Sequence, residues 1–213
     1  DVTDIVSVSA VGSLKENLKP GTFVVVDQFI DRTFARVKTF FDDEIVAHVS
    51  MAKPVSQSLG ECCLTALNKI NILHQKNGTY IAMEGPQFST LAESNLYRSW
   101  GADVIGMTNM PEAKLAREAE IRYCTVAMVT DYDCWHPDHS EVDVAMVIQT
   151  LTKNALNAQN MIKEVIRTYK DFSPEKDPAN DCLDTAIITD SKLRTKKTIK
   201  KLHYIAGRVL NKK

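Results

Sequence analysis

Nowhere in the 213 residues does an apolar run approach the roughly eighteen needed to cross a bilayer. No basic-then-apolar leader opens the chain, so neither a membrane span nor a secretion signal is expected. Residue 1 is Asp rather than Met, and the chain is expected to begin inside its domain. An excess of one charge is lacking too. The 26 Lys and Arg balance 27 Asp and Glu to a formal net charge of −1, which gives no reason to expect a nucleic-acid or membrane partner. The five cysteines, Cys62, Cys63, Cys124, Cys134 and Cys182, are odd in number and form no Cys-x-x-Cys pair. That usage fits free thiols in a reducing, intracellular setting. Absent also are a G-x-G-x-x-G turn, a Walker sequence and a G-x-S-x-G elbow, so nothing supports dinucleotide binding, ATP binding or a serine nucleophile.

What is present suits one compact domain: 44% of residues are hydrophobic and 25% charged. The stretch from Ile81 to Asn109 organises the rest. Glu84-Gly85-Pro86-Gln87-Phe88-Ser89 is a turn with an aromatic at its edge, and Thr90 to Glu93 is a capping box that opens a helix. Ala92, Leu96 and Trp100 recur at helical spacing, so that face is expected to be apolar and buried, with Gly101 as the left-handed C-terminal residue. Ala102 to Met107 then suits a short buried strand, which leaves Thr108 and Asn109 at its C-terminal end.

Further strands are expected at Ile5–Ala10, Phe23–Val26, Gly78–Met83 and Arg122–Thr130. Helices are expected at Leu59–Leu73, with Cys63, Leu67, Ile70 and Leu73 inward, and after Pro111 to about Glu120. A long helix from Asp143 to Tyr169 should bury Val144, Val147, Ile148, Leu151, Ala155, Ala158, Ile162 and Val165. Thr33 to His48 is irregular and reads as a loop. Asp171 to Asn180 reads as a linker, and Lys192 to Lys213 as a basic amphipathic helix with Ile199, Leu202, Ala206 and Val209 on one side. The alternation of strand and helix gives the fold class: α/β, a single-domain three-layer sandwich with a mixed central sheet flanked by helices.

Asp131 and Asp133 follow the most apolar strand directly. Desolvated acids cost free energy unless paired or hydrogen-bonded, so stability alone does not account for them. With Cys134, His136, Asp138 and His139 they tempt a metal reading, but the spacing matches no standard zinc pattern and the ligand types are mixed; no metal is expected. Gly12 after the first strand reads as an ordinary turn when taken alone, and spacing gives no reason to single out His48.

Ala82-Met83-Glu84-Gly85-Pro86-Gln87-Phe88-Ser89, then Ala92-Glu93-Ser94, Trp100 to Ile105, Met107-Thr108 and Pro111-Glu112 resemble the trimeric purine nucleoside phosphorylase family. Ala127 to Trp135 and Asp27 to Thr33 resemble its branch that cleaves 5′-methylthioadenosine; the likeness runs from about Ile5 to Tyr169. It implies a phosphorylase domain over 1–170 without its N-terminal part, followed by a linker and basic helix over 171–213. The implied reaction is phosphorolysis to adenine and 5-methylthioribose 1-phosphate. No cofactor is implied, since inorganic phosphate is a co-substrate, and the implied assembly is a homotrimer in the cytoplasm and also the nucleus.

The resemblance implies roles residue by residue. Asp131 would supply the proton or hydrogen bond that the leaving purine needs at N7, and Asp133 would accept from its 6-amino group. Ser9, Ala10 and Thr108 would hold phosphate, and Met107 the ribose. Phe88 would stack near base or sugar, Val11, Gly12 and Ile105 would line the base pocket, and Tyr132 would be a further substrate-binding residue. Ser89 and Val144 would tune specificity. Val144, Val147 and Ile148 would wall in the methylthio group, core packing remaining the other reading for Val147 and Ile148, and His48 would be lent by a neighbouring subunit. The chain departs from the family in lacking a Gly-Thr-Gly-Leu-like phosphate loop and an Arg-His pair before Asp1, in Gly106 where Asn is familiar, and in Val11 where Cys is common. Competing functions are a 6-oxopurine nucleoside phosphorylase, a hydrolytic nucleosidase and a non-catalytic nucleoside-binding module.

Overall fold

The computed structural model describes residues 2–41, 44–137, 144–172 and 177–211, without the side chains of 144–147. Among them one seven-stranded mixed sheet runs in the order β3-β5-β6-β1-β7-β2-β4. Its strands are β1 (Asp4–Ser13), β2 (Phe23–Val25), β3 (Gln28–Arg32), β4 (His74–Lys76), β5 (Thr79–Met83), β6 (Val104–Gly106) and β7 (Arg122–Asp131). The helices are α1 (Gln57–Lys69), α2 (Leu91–Ser99), α3 (Glu112–Glu118), α4 (Val144–Thr168), α5 (Lys196–Lys201) and α6 (His203–Leu210).

The sheet is built from three parallel sets that meet at two antiparallel seams, β6 against β1 and β7 against β2, with β2 and β4 parallel. β3, β5 and β6 run together, β1 and β7 run together, and β6 lies antiparallel to β1 with Gly12 opposite Ile105. β7 is the spine because Tyr123 to Thr130 are all buried. On one face Val11, Tyr80, Val104, Met110, Ala113 and Val129 pack together beneath α3. On the other, Phe23, Leu59, Leu67, Val126 and Met161 join the sheet to α1 and α4. The expected sandwich is therefore the observed one.

Several local expectations need correction. β3 and β4 are strands that periodicity did not reveal. The helix expected to reach Leu73 ends at Lys69, because Asn71 turns the chain at φ 53° and leaves Leu73 64% exposed before β4. The capping box of α2 forms as expected, and Gly101 takes φ +84°. The buried face of α2 is nevertheless Ser94 and Tyr97, and Leu96 and Trp100 lie on the open side. In α4 the inward row is Asn154, Ala158, Met161 and Val165; Ala155 is exposed, and Ile148 is 57% exposed. Asn154 is accepted there because its Nδ2 donates to the Val129 carbonyl at 2.9 Å. The basic tail is not one helix but α5 and α6, which bury Leu202, Ala206 and Leu210 against Phe41 and Ile45. Arg208 ties that tail to the main body through Glu120 and Asp184.

Candidate functional site

A cavity of about 220 Å³ opens at the seam between β6 and β1, beside the end of β7. Ligand sites in open α/β sheets form where the strand direction changes, since loops diverge there and leave a crevice. Three chain segments build it. β1 supplies Ala10, Val11 and Gly12; the end of β6 supplies Ile105, Gly106, Met107 and Thr108; and β7 supplies Thr130 and Asp131, with Asp133 just beyond. Phe88 and Met83 complete the lining.

Gly12 is more than a turn. The register of β1 against β7 shifts between Val11 and Gly12, so Gly12 pairs with Asp131, and a Cβ there would stand 3.0 Å from Asp131 Oδ1 and 3.2 Å from Ile105. Such bulges re-aim side chains beside functional sites. Here the bulge brings bare backbone against the acid.

Asp131 is held by two donors. The Thr130 hydroxyl donates to its Oδ2 at 2.7 Å, and the backbone N–H of Asp133 donates to its Oδ1 at 2.8 Å. Asp133 adopts φ 54°, and its two carboxylate oxygens accept from Ser89 Oγ at 3.1 and 3.0 Å. Both acids are desolvated. Burial pushes the carboxyl of each above its ordinary range, against the donors just named, and in Asp133 the charge of Asp131 adds to the rise. An acid raised in this way can keep a proton and donate it inside the pocket.

At the other end of the cavity Ser9 and Thr108, 99 positions apart, bring their hydroxyls into direct contact. Thr108 Oγ1 also donates to Asn109 Oδ1 at 2.8 Å. Phe88 stands 60% exposed at the mouth, on a turn that is firmly pinned. Arg36 donates to the backbone carbonyl of Glu84 at 2.8 Å and to its side chain at 3.2 Å, and Glu84 accepts in turn from the Phe34 N–H at 2.7 Å.

Of the residues singled out in the sequence, Ala10, Val11, Gly12, Phe88, Ile105, Met107, Thr108, Asp131 and Asp133 line this one cavity. Ser9 and Ser89 touch it through Thr108 and Asp133. Tyr132 is not among the lining residues, which departs from expectation. Its ring packs with Leu14, Ile81 and Trp135, and Trp135 is locked by donation to the Ser13 carbonyl at 2.7 Å. Ile148 likewise lies outside the lining, and the side chains of Val144 and Val147 lie outside the described residues, as do Asp138 and His139. His48 is exposed and borders a separate surface cavity with Arg117 and Cys182. Met83 and Thr130 were not foreseen. Thr130 carried a signal, being the polar last residue of a buried run; Met83 carried none.

A family model described as the phosphorylase superfamily matches residues 1–167. An S-methyl-5′-thioadenosine phosphorylase of Rhodospirillum rubrum is 60% identical over 210 residues, covering 98% of this chain and 71% of the relative. One of Bradyrhizobium diazoefficiens is 55% identical, with 98% and 72% covered. Among solved structures, a methylthioadenosine phosphorylase from an antarctic soil metagenomic library superposes with a TM-score of 0.90 at 48% identity, covering 96% of this chain and 72% of that one. A methylthioadenosine phosphorylase from Schistosoma mansoni in complex with adenine superposes at 0.76 and 32% identity, covering 80% and 66%.

Proposed function

We infer the reaction from one premise: this chain belongs to the phosphorylase superfamily. It is a pentosyltransferase that cleaves 5′-methylthioadenosine with phosphate to adenine and 5-methylthioribose 1-phosphate, a step of purine and methionine salvage. The observation that carries the reading into chemistry is the pairing of two acids, half-buried Asp131 and buried Asp133, with a hydroxyl pair, Ser9 and Thr108, at one cavity.

In this reading a phosphate oxygen attacks C1′, the C1′–N9 bond breaks, and its electron pair enters the purine. Negative charge develops toward N7, where Asp131 donates its proton or a hydrogen bond; its raised carboxyl suits that task. Asp133, fixed by Ser89, accepts from the 6-amino group, so Ser89 tunes specificity through the acid it holds. A 6-oxo purine would leave that buried acceptor unpaired, and such sites discriminate strongly. Phosphate is held by Ser9, Thr108 and the backbone at Ala10, and Met107 and Phe88 flank the sugar and base. Val11, Gly12 and Ile105 bound the base, and Tyr132 supports it from behind. We place Val144, Val147 and Ile148 along the methylthio group, with Val144 tuning the choice of nucleoside.

The working assembly we propose is a homotrimer in which His48 of each subunit completes a neighbour's site. Its exposure, and its absence from the cavity of its own chain, support that reading. We place the enzyme in the cytoplasm; the bacterial relatives lend the nuclear setting no support. No helix among the described residues is long and apolar enough to cross a membrane. Small molecules are the partners proposed, with no metal or organic cofactor and no nucleic acid.

Adenine release from methylthioadenosine, followed with and without phosphate in the full-length protein, tests the reaction. Release only with phosphate is expected. Release that ignores phosphate would establish a hydrolytic nucleosidase instead, and nucleoside binding without release would establish a non-catalytic module.

A further inference from the structure

Tyr80 lies on β5, wholly buried beneath the cavity floor, and its position explains the bare Gly106 beside it. A Cβ at Gly106 would stand 2.0 Å from the Tyr80 hydroxyl oxygen and 2.8 Å from its ring carbon, closer than atoms can approach. The phenol therefore fills the room that a side chain at 106 would take. It does not merely fill it. The hydroxyl lies 3.1 Å from Thr108 Oγ1 and accepts from the Thr108 N–H at 3.4 Å. Thr108 Oγ1 in turn touches Ser9 Oγ, the second hydroxyl of the proposed phosphate site.

We propose that Tyr80 is a positioning residue for phosphate, acting through Thr108, with Gly106 as the vacancy that admits it; this rests on the phosphate reading of Ser9 and Thr108. The argument is a count of hydrogens. Thr108 Oγ1 carries one, which here goes to Asn109 Oδ1 at 2.8 Å and must turn to phosphate when phosphate binds. The Tyr80 hydroxyl, already accepting from the Thr108 N–H, has its own hydrogen free to donate into a lone pair of Thr108 Oγ1. That donation occupies a lone pair of Thr108 Oγ1, leaves its hydrogen able to swing from Asn109 Oδ1 to the anion and polarises it, since chained hydrogen bonds strengthen one another. The ring, tilted against Phe29 with centroids 5.7 Å apart, cannot swing away.

Tyr80→Phe removes only the hydroxyl and keeps the packing. The expected result is a rise in KM for phosphate of about five- to tenfold, the effect of one buried hydrogen bond to an anion-binding group, with KM for methylthioadenosine unchanged within about twofold. Thermal protection by inorganic phosphate alone should shift to correspondingly higher phosphate in this variant, a readout independent of turnover. An unchanged phosphate KM, or an equal rise in both KM values, overturns the proposal. Thr108→Val separates the two levels of the argument. If it too leaves phosphate KM unchanged, the phosphate reading itself has failed; if it raises phosphate KM while Tyr80→Phe does not, only the role of Tyr80 has.

Discussion

Asp131 sits where two demands oppose each other, and its substitution reads both. Asn fits the same surroundings, since its Oδ1 can accept from the Asp133 N–H and its Nδ2 can donate to Thr130 Oγ1, whose hydrogen then turns from the acid to the Val11 carbonyl at 3.1 Å. Asp131→Asn should therefore fold, lower kcat for methylthioadenosine by about a hundredfold or more, as loss of a general acid does, and move the adenosine-to-inosine ratio of kcat/KM toward inosine. An unchanged ratio would refute the assignment. Burial raises this carboxyl above its unfolded value, so the stability it contributes is fully present below the unfolded pKa and lost as pH rises through the folded one. Two consequences follow for measurement. The activity that needs the protonated acid should fall as pH rises through the folded pKa. The melting temperature of Asp131→Asn should exceed that of the parent at pH 8, with the difference vanishing toward pH 3; a variant less stable at pH 8 would show that the acid's hydrogen bonds outweigh its desolvation.

Among elements, α4 is the sharpest test of how the layers are held. Met161 is wholly buried between α1 and the sheet, so Met161→Ala should cost about 2–5 kcal/mol through lost burial and the cavity left behind. Ile166→Ala, at a position 69% exposed on the same helix, should change stability by less than about 0.5 kcal/mol. Denaturant midpoints at constant slope distinguish the two. The sequence named the helix and much of its inner face, Leu151, Ala158, Ile162 and Val165, but not Asn154 or Met161, because Asn154 breaks the apolar row and Ala155 continues it one position away. Neither β3, half exposed, nor the three-residue β4 has a periodicity to detect, and their pairing with β5 and β2 comes only from the assembled sheet. Contrast β7 and the capping box of α2, whose signals are local and held. The acids were legible for that reason too, as charges ending an apolar run. The contact of Ser9 with Thr108, and Tyr80 behind it, were not: a tyrosine in a strand reads as core until the fold brings its hydroxyl to a ligand site.

At the scale of the molecule, α2 leaves Leu96 and Trp100 46% and 45% exposed on a face that amphipathic spacing marks as one to be covered. Exposed apolar stripes of this kind support association, and the proposed homotrimer supplies it. If one subunit's His48 serves the next subunit's acids around a closed ring, the interface is heterologous and each site is made from two chains. His48→Ala and Asp131→Asn would then be defective in different halves of the same site. Any mixed trimer, whether two to one or one to two, contains one junction at which an intact Asp131 meets an intact His48, so about one site in three regains function. Co-expressing the two variants should thus restore turnover well above the sum of the separate proteins. Activity that only averages the two parents would place His48 and Asp131 in the same chain's site or outside it altogether, and the shared-site trimer would fall with that result.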